Sequence, residues 1–184
     1  MIGIDEVGRG AWAGPLLVVA ARQTSELPHE VRDSKLTTRK QREALITDIK
    51  SSCDLGEGWV SAEEIDALGL TAAMRLAVAR ALDDIQAIPD EAIIMDGHIN
   101  YCDAAFVNSQ AVVDADATHP IVSAASVYAK VIRDNHMAEL AKQFPDYGFE
   151  KHVGYGTRQH KEAIAQHGVT PQHRKSYKPI RTFL

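Results

Sequence analysis

Three short apolar runs in this chain end in acid: Ile2-Gly3-Ile4 in Asp5-Glu6, Ala92-Ile93-Ile94-Met95 in Asp96, and Ala111-Val112-Val113 in Asp114-Ala115-Asp116. Each run is short and rich in apolar residues, the pattern of a strand, and Ala92 to Met95 reads as a buried one. Helical periodicity lies between them, so strands alternate with helices and the class is α/β. In an open α/β sheet ligands gather beside strand ends, where carboxylates from remote segments can converge. Four ionised carboxylates held together lose several kcal/mol to repulsion unless cations sit between them. Oxygen-only ligands suit Mg²⁺ or Mn²⁺, whereas zinc would favour Cys and His, for which no ligand spacing occurs. Two such ions roughly 4 Å apart form the clamp for in-line phosphodiester cleavage, which points to a nucleic-acid substrate.

Each acid also has a plainer reading. Asp5-Glu6 in isolation is a solvated turn, and Asp96-Gly97 a turn after a strand. Gly8-Arg9-Gly10 reads equally as a flexible hairpin turn or as a phosphate contact. The acids gain weight only jointly, because the same placement recurs three times.

The remaining elements follow from local chemistry. Pro15 to Ala21 is a nearly continuous apolar strand, forming with the first run a hairpin at the sheet centre. Thr37 to Ile49 has good helix formers, and Gly56 to Val60 is short enough for a strand. Ser61-Ala-Glu-Glu64 has capping-box spacing, Gly69 interrupts that helix, and Met74, Val78, Leu82 and Ile85 give the next one a buried stripe before Pro89. Phe106-Val107 reads as a short strand of its own. Thr118-His119-Pro120 starts a helix running from Ile121 to about Lys142, and a short one spans Thr157 to Gln166.

With 184 residues the chain fits one domain, 1–184, around a single core. Cys53 and Cys102 match no disulfide framework or zinc pattern, which implies a reducing compartment. No run is long enough to span a bilayer, and the expectation is a cytoplasmic monomer with no membrane contact. The net charge of −5 hides an asymmetry. Val60 to Asp116 holds 11 acidic against 2 basic residues, while Lys151 to Leu184 holds 7 Lys or Arg against Glu162 alone. The segment from about 151 to 184 is thus a basic arm suited to a phosphate backbone.

Taken in order, GIDEVGRG with AGP close behind, Asp33-Ser34-Lys35, IIMDG, ADATHPIVSAASVYAKVIRD, GFEKHVGYGT and PQHRKSY resemble the type 2 ribonucleases H, the ribonuclease HII family, from residue 2 to about 179. The resemblance implies a ribonuclease H-like fold, a mixed five-stranded sheet flanked by helices. The implied activity is hydrolysis of RNA in RNA–DNA hybrids and incision 5′ of single ribonucleotides in duplex DNA. It places the family's metal-binding carboxylates on Asp5, Glu6, Asp96 and Asp116, with Asp134 a secondary candidate whose plainer role is a helical ion pair with Lys130. Gly8, Arg9 and Gly10 would bring backbone close to the ribonucleotide, whose 2′-hydroxyl distinguishes RNA from DNA. Tyr155 matches the tyrosine that packs against the following deoxyribose, its alternative being an ordinary core tyrosine. Ser34, Lys35, Ser126, Lys130, His173 and Arg174 would hold phosphates. Asp114 departs from the family, where many relatives carry a basic residue. Two rivals remain: a resolvase-like two-metal nuclease, and a non-catalytic duplex-binding module. The other histidines receive no role.

Overall fold

The structure, a computed structural model, describes residues 1–31 and 38–184. Among them five strands form one mixed sheet: β1 (Ile2–Val7), β2 (Leu16–Gln23), β3 (Cys53–Val60), β4 (Ile93–Asp96) and β5 (Ser109–Val112), in the order β3-β2-β1-β4-β5. β1 and β2 pair antiparallel with Asp5 opposite Val19, and β2 pairs antiparallel with β3. β4 lies parallel to β1 and β5 parallel to β4. The first strand is therefore central, with the antiparallel β2 and β3 on one side and the two later parallel strands on the other.

The helices sort by face. α1 (Arg39–Ser52), α2 (Ala62–Leu68) and α3 (Leu70–Asp84) precede β4. After β5 come α4 (Ala115–Thr118), α5 (Pro120–Gln143), α6 (Phe149–His152), α7 (Arg158–His167) and α8 (Lys178–Arg181). Ile2, Ile4, Leu16 and Val18 meet Met74, Ala77, Val78 and Ala81 of α3 in one core. Leu17, Val19 and Ile94 meet α1 and the first half of α5 in a second. Period-two alternation thus sends neighbouring residues of β1 and β2 to opposite faces, both covered. The start of α5 lies so close to β1 that a Cβ at Gly3 would fall 2.6 Å from the Ile121 carbonyl carbon. A third core joins Ala13, Met137, Leu140, Tyr147, Phe149, Ile164 and Ile180 at the C-terminal side.

Caps explain the helix starts. Thr38 with Gln41, and Ser61 with Glu64, form capping boxes, and Gly69 turns the chain at φ 78° between α2 and α3. α5 begins with Pro120 at its first turn, as the sequence predicts. Three readings change. β3 extends back to Cys53 because all eight of its residues find partners on β2. Phe106-Val107 is a turn, not a strand: the Asp103 carboxylate accepts the Ala105 N–H at 2.9 Å, bending the chain before it can extend. The C-terminal arm is also less irregular than its composition implies, since it contains α8. Cys53 and Cys102 are both free thiols. Among the described residues no helix is long and apolar enough to cross a membrane.

Candidate active site

β1 carries Asp5 and Glu6 to the same corner of the sheet as Asp96, the last residue of β4. Asp5 is 8% exposed, and its carboxylate accepts the Glu6 N–H at 2.7 Å. Burial pushes its pKa up to about 7, with the charges of Glu6 and Asp96 adding to the rise, while the Ser126 hydroxyl from α5 and the Glu6 N–H oppose it. Glu6 is also raised, first by burial and then by Asp96, against the pull of Arg9. The Arg9 guanidinium stands 3.5 Å from Glu6 and 3.3 Å from the Tyr101 hydroxyl. The three acids from two remote segments thus lie within reach of one another's charge.

Asp96 turns one oxygen to the Ala115 N–H at 2.7 Å, which ties β4 to the start of α4. Asp116 is the next residue, partly buried and lining a cleft of about 350 Å³ with Ala117, Thr118 and Pro120. Asp114 precedes it in the left-handed conformation, φ 53°. Among the described residues no three His, Cys, Asp or Glu side chains are arranged to hold one ion by themselves. The donor set is nonetheless all oxygen and short of positive charge, which suits a hard divalent cation. Mg²⁺ characteristically takes one or two carboxylates and fills its shell with water and substrate phosphate. Asp5, Glu6 and Asp96 are the acids brought close enough to share it, while Asp116 lies just beyond the Ala115 N–H that Asp96 accepts. Asp134 is spent differently: its carboxylate pairs with Lys130 at 2.8 Å, one turn apart on α5.

Beside this corner runs the loop from Gly8 to Pro15, held by two fully buried arginines. Arg133 of α5 donates to the carbonyls of Pro15 at 2.8 Å, Val153 at 2.9 Å and Ala13 at 3.4 Å. Burial lowers its pKa to about 10, so it stays charged at neutral pH. Arg174 turns Nε and Nη2 to the Gly14 carbonyl and Nη1 to the Arg9 carbonyl at 3.0 Å. Gly8, at φ 87°, lies directly over Arg133: a Cβ there would fall 2.6 Å from the guanidinium carbon. Gly10 is exposed, and a Cβ there would meet only Tyr155, at 3.9 Å. Tyr155 is 37% exposed, with the Arg133 guanidinium 5.9 Å from its ring centre.

This geometry changes two assignments. His173 and Arg174 are 1% and 0% exposed, and their nitrogens are engaged inside the protein. They brace the loop and do not face solvent as phosphate holders would. Ser126 hydrogen-bonds Asp5, placing it in the acid corner, and Lys130 is ion-paired while keeping 35% exposure. Ser34 and Lys35 lie outside the described residues. Sequence reasoning missed Arg133, although a signal existed. It interrupts the buried stripe Ala129, Met137, Ala141 of α5, where an unpaired charge would be prohibitive.

A mixed sheet with an antiparallel hairpin on one side and parallel acid-tipped strands on the other, flanked by helices, is a ribonuclease H-like fold. With a carboxylate corner it is the architecture of a metal-dependent nuclease. The family model for ribonuclease HII matches residues 2–180, and the chain belongs to that family. It is 45% identical to a ribonuclease HII of Vibrio parahaemolyticus over 184 residues, 99% of this chain and 86% of the relative. Among solved structures it is similar to the RNase HII of Archaeoglobus fulgidus in its PCNA complex, at 25% identity and TM-score 0.79, over 96% of this chain and 94% of the other. The fold also resembles Bst-RNase HIII in complex with Mn²⁺, at 20% identity and TM-score 0.74, over 98% and 67%.

Proposed function

We propose that this protein is an endonuclease that hydrolyses the RNA strand of RNA–DNA hybrids and cuts on the 5′ side of single ribonucleotides in duplex DNA. Its products carry 3′-hydroxyl and 5′-phosphate ends. It acts as a cytoplasmic monomer in ribonucleotide excision repair and DNA replication, through one catalytic domain whose basic arm meets the duplex. The observation that carries this reading is the meeting of Asp5, Glu6 and Asp96 close to the exposed Arg9-Gly10 segment. When bound, two Mg²⁺ or Mn²⁺ ions supply the charge that activates water and steadies the leaving oxygen.

Asp5, Glu6, Asp96 and Asp116 hold those ions and fix where the scissile phosphate rests. Ser126 orients Asp5 through its hydroxyl. Gly8 is spent on approaching Arg133 and the Arg9 carbonyl on Arg174 and Tyr177, which leaves the Gly10 main chain to come close to the 2′-hydroxyl, the group that separates RNA from DNA. The Arg9 side chain is exposed and offers phosphate a planar fork. Tyr155, beside Gly10, packs on the deoxyribose that follows the ribonucleotide. Lys130 contributes to the phosphate track.

A duplex with one embedded ribonucleotide tests this directly, with Mg²⁺ or Mn²⁺ and with Asp96→Asn as the control. Incision 5′ of the ribonucleotide, falling at least about a hundredfold in the variant, is the expected result. Cleavage of plain DNA with that duplex left intact would favour a resolvase-like nuclease. Equal binding by both proteins with no turnover would favour a non-catalytic duplex-binding module.

A further inference from the structure

His152, His160 and His173 have no part in the chemistry above, yet they form one buried cluster. The rings of His152 and His160 stack with centroids 4.4 Å apart, and Nε2 of His160 lies 3.1 Å from Nε2 of His173. Trp12, Tyr147 and Phe149 close around them. The partners fix where each hydrogen sits. Nδ1 of His160 faces the Tyr155 carbonyl at 3.0 Å, and a carbonyl can only accept, so Nδ1 donates and Nε2 accepts. Nδ1 of His173 accepts the Thr170 N–H at 3.0 Å, so its own hydrogen is on Nε2 and points at His160. Donation therefore runs from His173 to His160 to the Tyr155 carbonyl.

His152 completes the hold from the other side. Its carbonyl accepts the Tyr155 N–H at 2.9 Å, and its Nδ1 accepts the Gly154 N–H at 3.3 Å. The Tyr155 N–H is thus held by the His152 main chain, and its carbonyl by the His160 ring together with the Thr157 N–H at 2.8 Å. The neighbouring Val153 is kept at φ 44°, a conformation a β-branched residue adopts only under strong constraint. Burial holds His160 and His173 down to about 4, so the cluster is neutral at neutral pH.

We propose that His160, with its tautomer set by His173, is a positioning residue: it fixes Tyr155 beside Gly10 and thereby sets the preference for an RNA-to-DNA junction. This rests on the reading of Tyr155 given above. The tyrosine ring is partly in solvent, so its aim is set by the main chain beneath it, where His160 supplies the one side-chain donor to the Tyr155 carbonyl among the described residues.

The test is the ratio of kcat/KM on a duplex with one embedded ribonucleotide to kcat/KM on a uniform RNA–DNA hybrid, for the full chain with Mg²⁺. In His160→Asn the amide nitrogen stands where Nδ1 stood and keeps the donor to Tyr155. In His160→Gln the amide reaches the Nε2 position, keeps a partner for His173 and drops that donor. His160→Gln should lower the ratio about five- to tenfold, roughly one lost hydrogen bond, and His160→Asn less than about twofold. His173→Phe, which frees the tautomer while leaving His160 in place, should move the ratio in the same direction as His160→Gln. Adding His160→Gln to Tyr155→Ala should lower it no further than Tyr155→Ala alone. A residue that merely supports the fold would depress both substrates together. An unchanged ratio in His160→Gln beside a lowered one in Tyr155→Ala would overturn the proposal alone, as would equal ratios in the Asn and Gln variants. An unchanged ratio in Tyr155→Ala would overturn the reading of the tyrosine, and the proposal with it.

Discussion

Replacing Gly8 and Gly10 by alanine, one at a time, should separate a glycine needed by the fold from one needed by the substrate. At Gly8 the backbone sits at φ 87°, where a Cβ costs about 1–2 kcal/mol. The new methyl would also lie 2.6 Å from the Arg133 guanidinium carbon, so the arginine must move. Arg133 is fully buried and makes three hydrogen bonds to main-chain carbonyls. Losing even one bond from a buried charge costs about 1.5–3 kcal/mol. The sum is about 2.5–5 kcal/mol, a large share of the 5–15 kcal/mol typical of a folded domain. At Gly10 the nearest atom to a new Cβ is 3.9 Å away, and its φ is not positive, so alanine should change stability by less than about 1 kcal/mol. Urea denaturation of the metal-free protein, read by circular dichroism at one pH, gives both values. Gly10→Ala should then remain folded while incision at an embedded ribonucleotide falls. A Gly8→Ala protein within about 1 kcal/mol of wild type, or equal losses at the two positions, would refute the packing of Arg133 beneath Gly8.

Three further outcomes follow from the same geometry. His160 and His173 are held at about 4 against an ordinary 6.5, so the unfolded chain binds their protons first. Their contribution is fully present above about pH 6.5 and is lost as pH falls toward 4, amounting to about 2 kcal/mol per histidine between pH 7 and 5. His173→Gln should flatten the pH dependence by that amount; the opposing slope from Asp5 is common to both proteins and cancels. Parallel curves would show that His173 takes up its proton equally readily in the folded and unfolded protein, contrary to its burial. Arg174→Lys should destabilise by about 2–4 kcal/mol, because a point charge cannot replace the fork to Gly14 and Arg9. It should leave the salt slope of duplex binding unchanged, whereas a true phosphate contact would reduce that slope by about one. Duplex affinity itself should fall at least about tenfold between 50 and 200 mM salt, measured by fluorescence anisotropy, if the exposed cations of the basic arm meet the backbone.

Much of the site was legible because it is written in local patterns. Acids at the tips of apolar runs announce themselves wherever a strand is short and bounded by turns, and the capping box at Ser61 depends on side chains three residues apart. What escaped depends on remote partners. Arg133 makes sense on an apolar stripe only once the carbonyls of Ala13, Pro15 and Val153 surround it. His173 and Arg174 read as cations at the end of a basic arm, and nothing nearby in sequence reveals that the arm folds inward against the Gly8–Pro15 loop. The turn at Phe106-Val107 was hidden by two apolar residues whose fate is decided by a carboxylate upstream.

α5 touches every part of this assembly in succession. Its second turn hydrogen-bonds Asp5 through Ser126, its middle supports Gly8 through Arg133, and its later turns bury Met137 and Leu140 in the C-terminal core. The acid corner, the Gly8–Pro15 loop and the bend at Tyr155 are therefore gauged from a single rod. A one-residue insertion near its centre would rotate everything downstream by about 100°. Remodelling substrate choice by exchanging loops alone would leave those loops without their seat, so any such graft must carry the facing side of this helix with it.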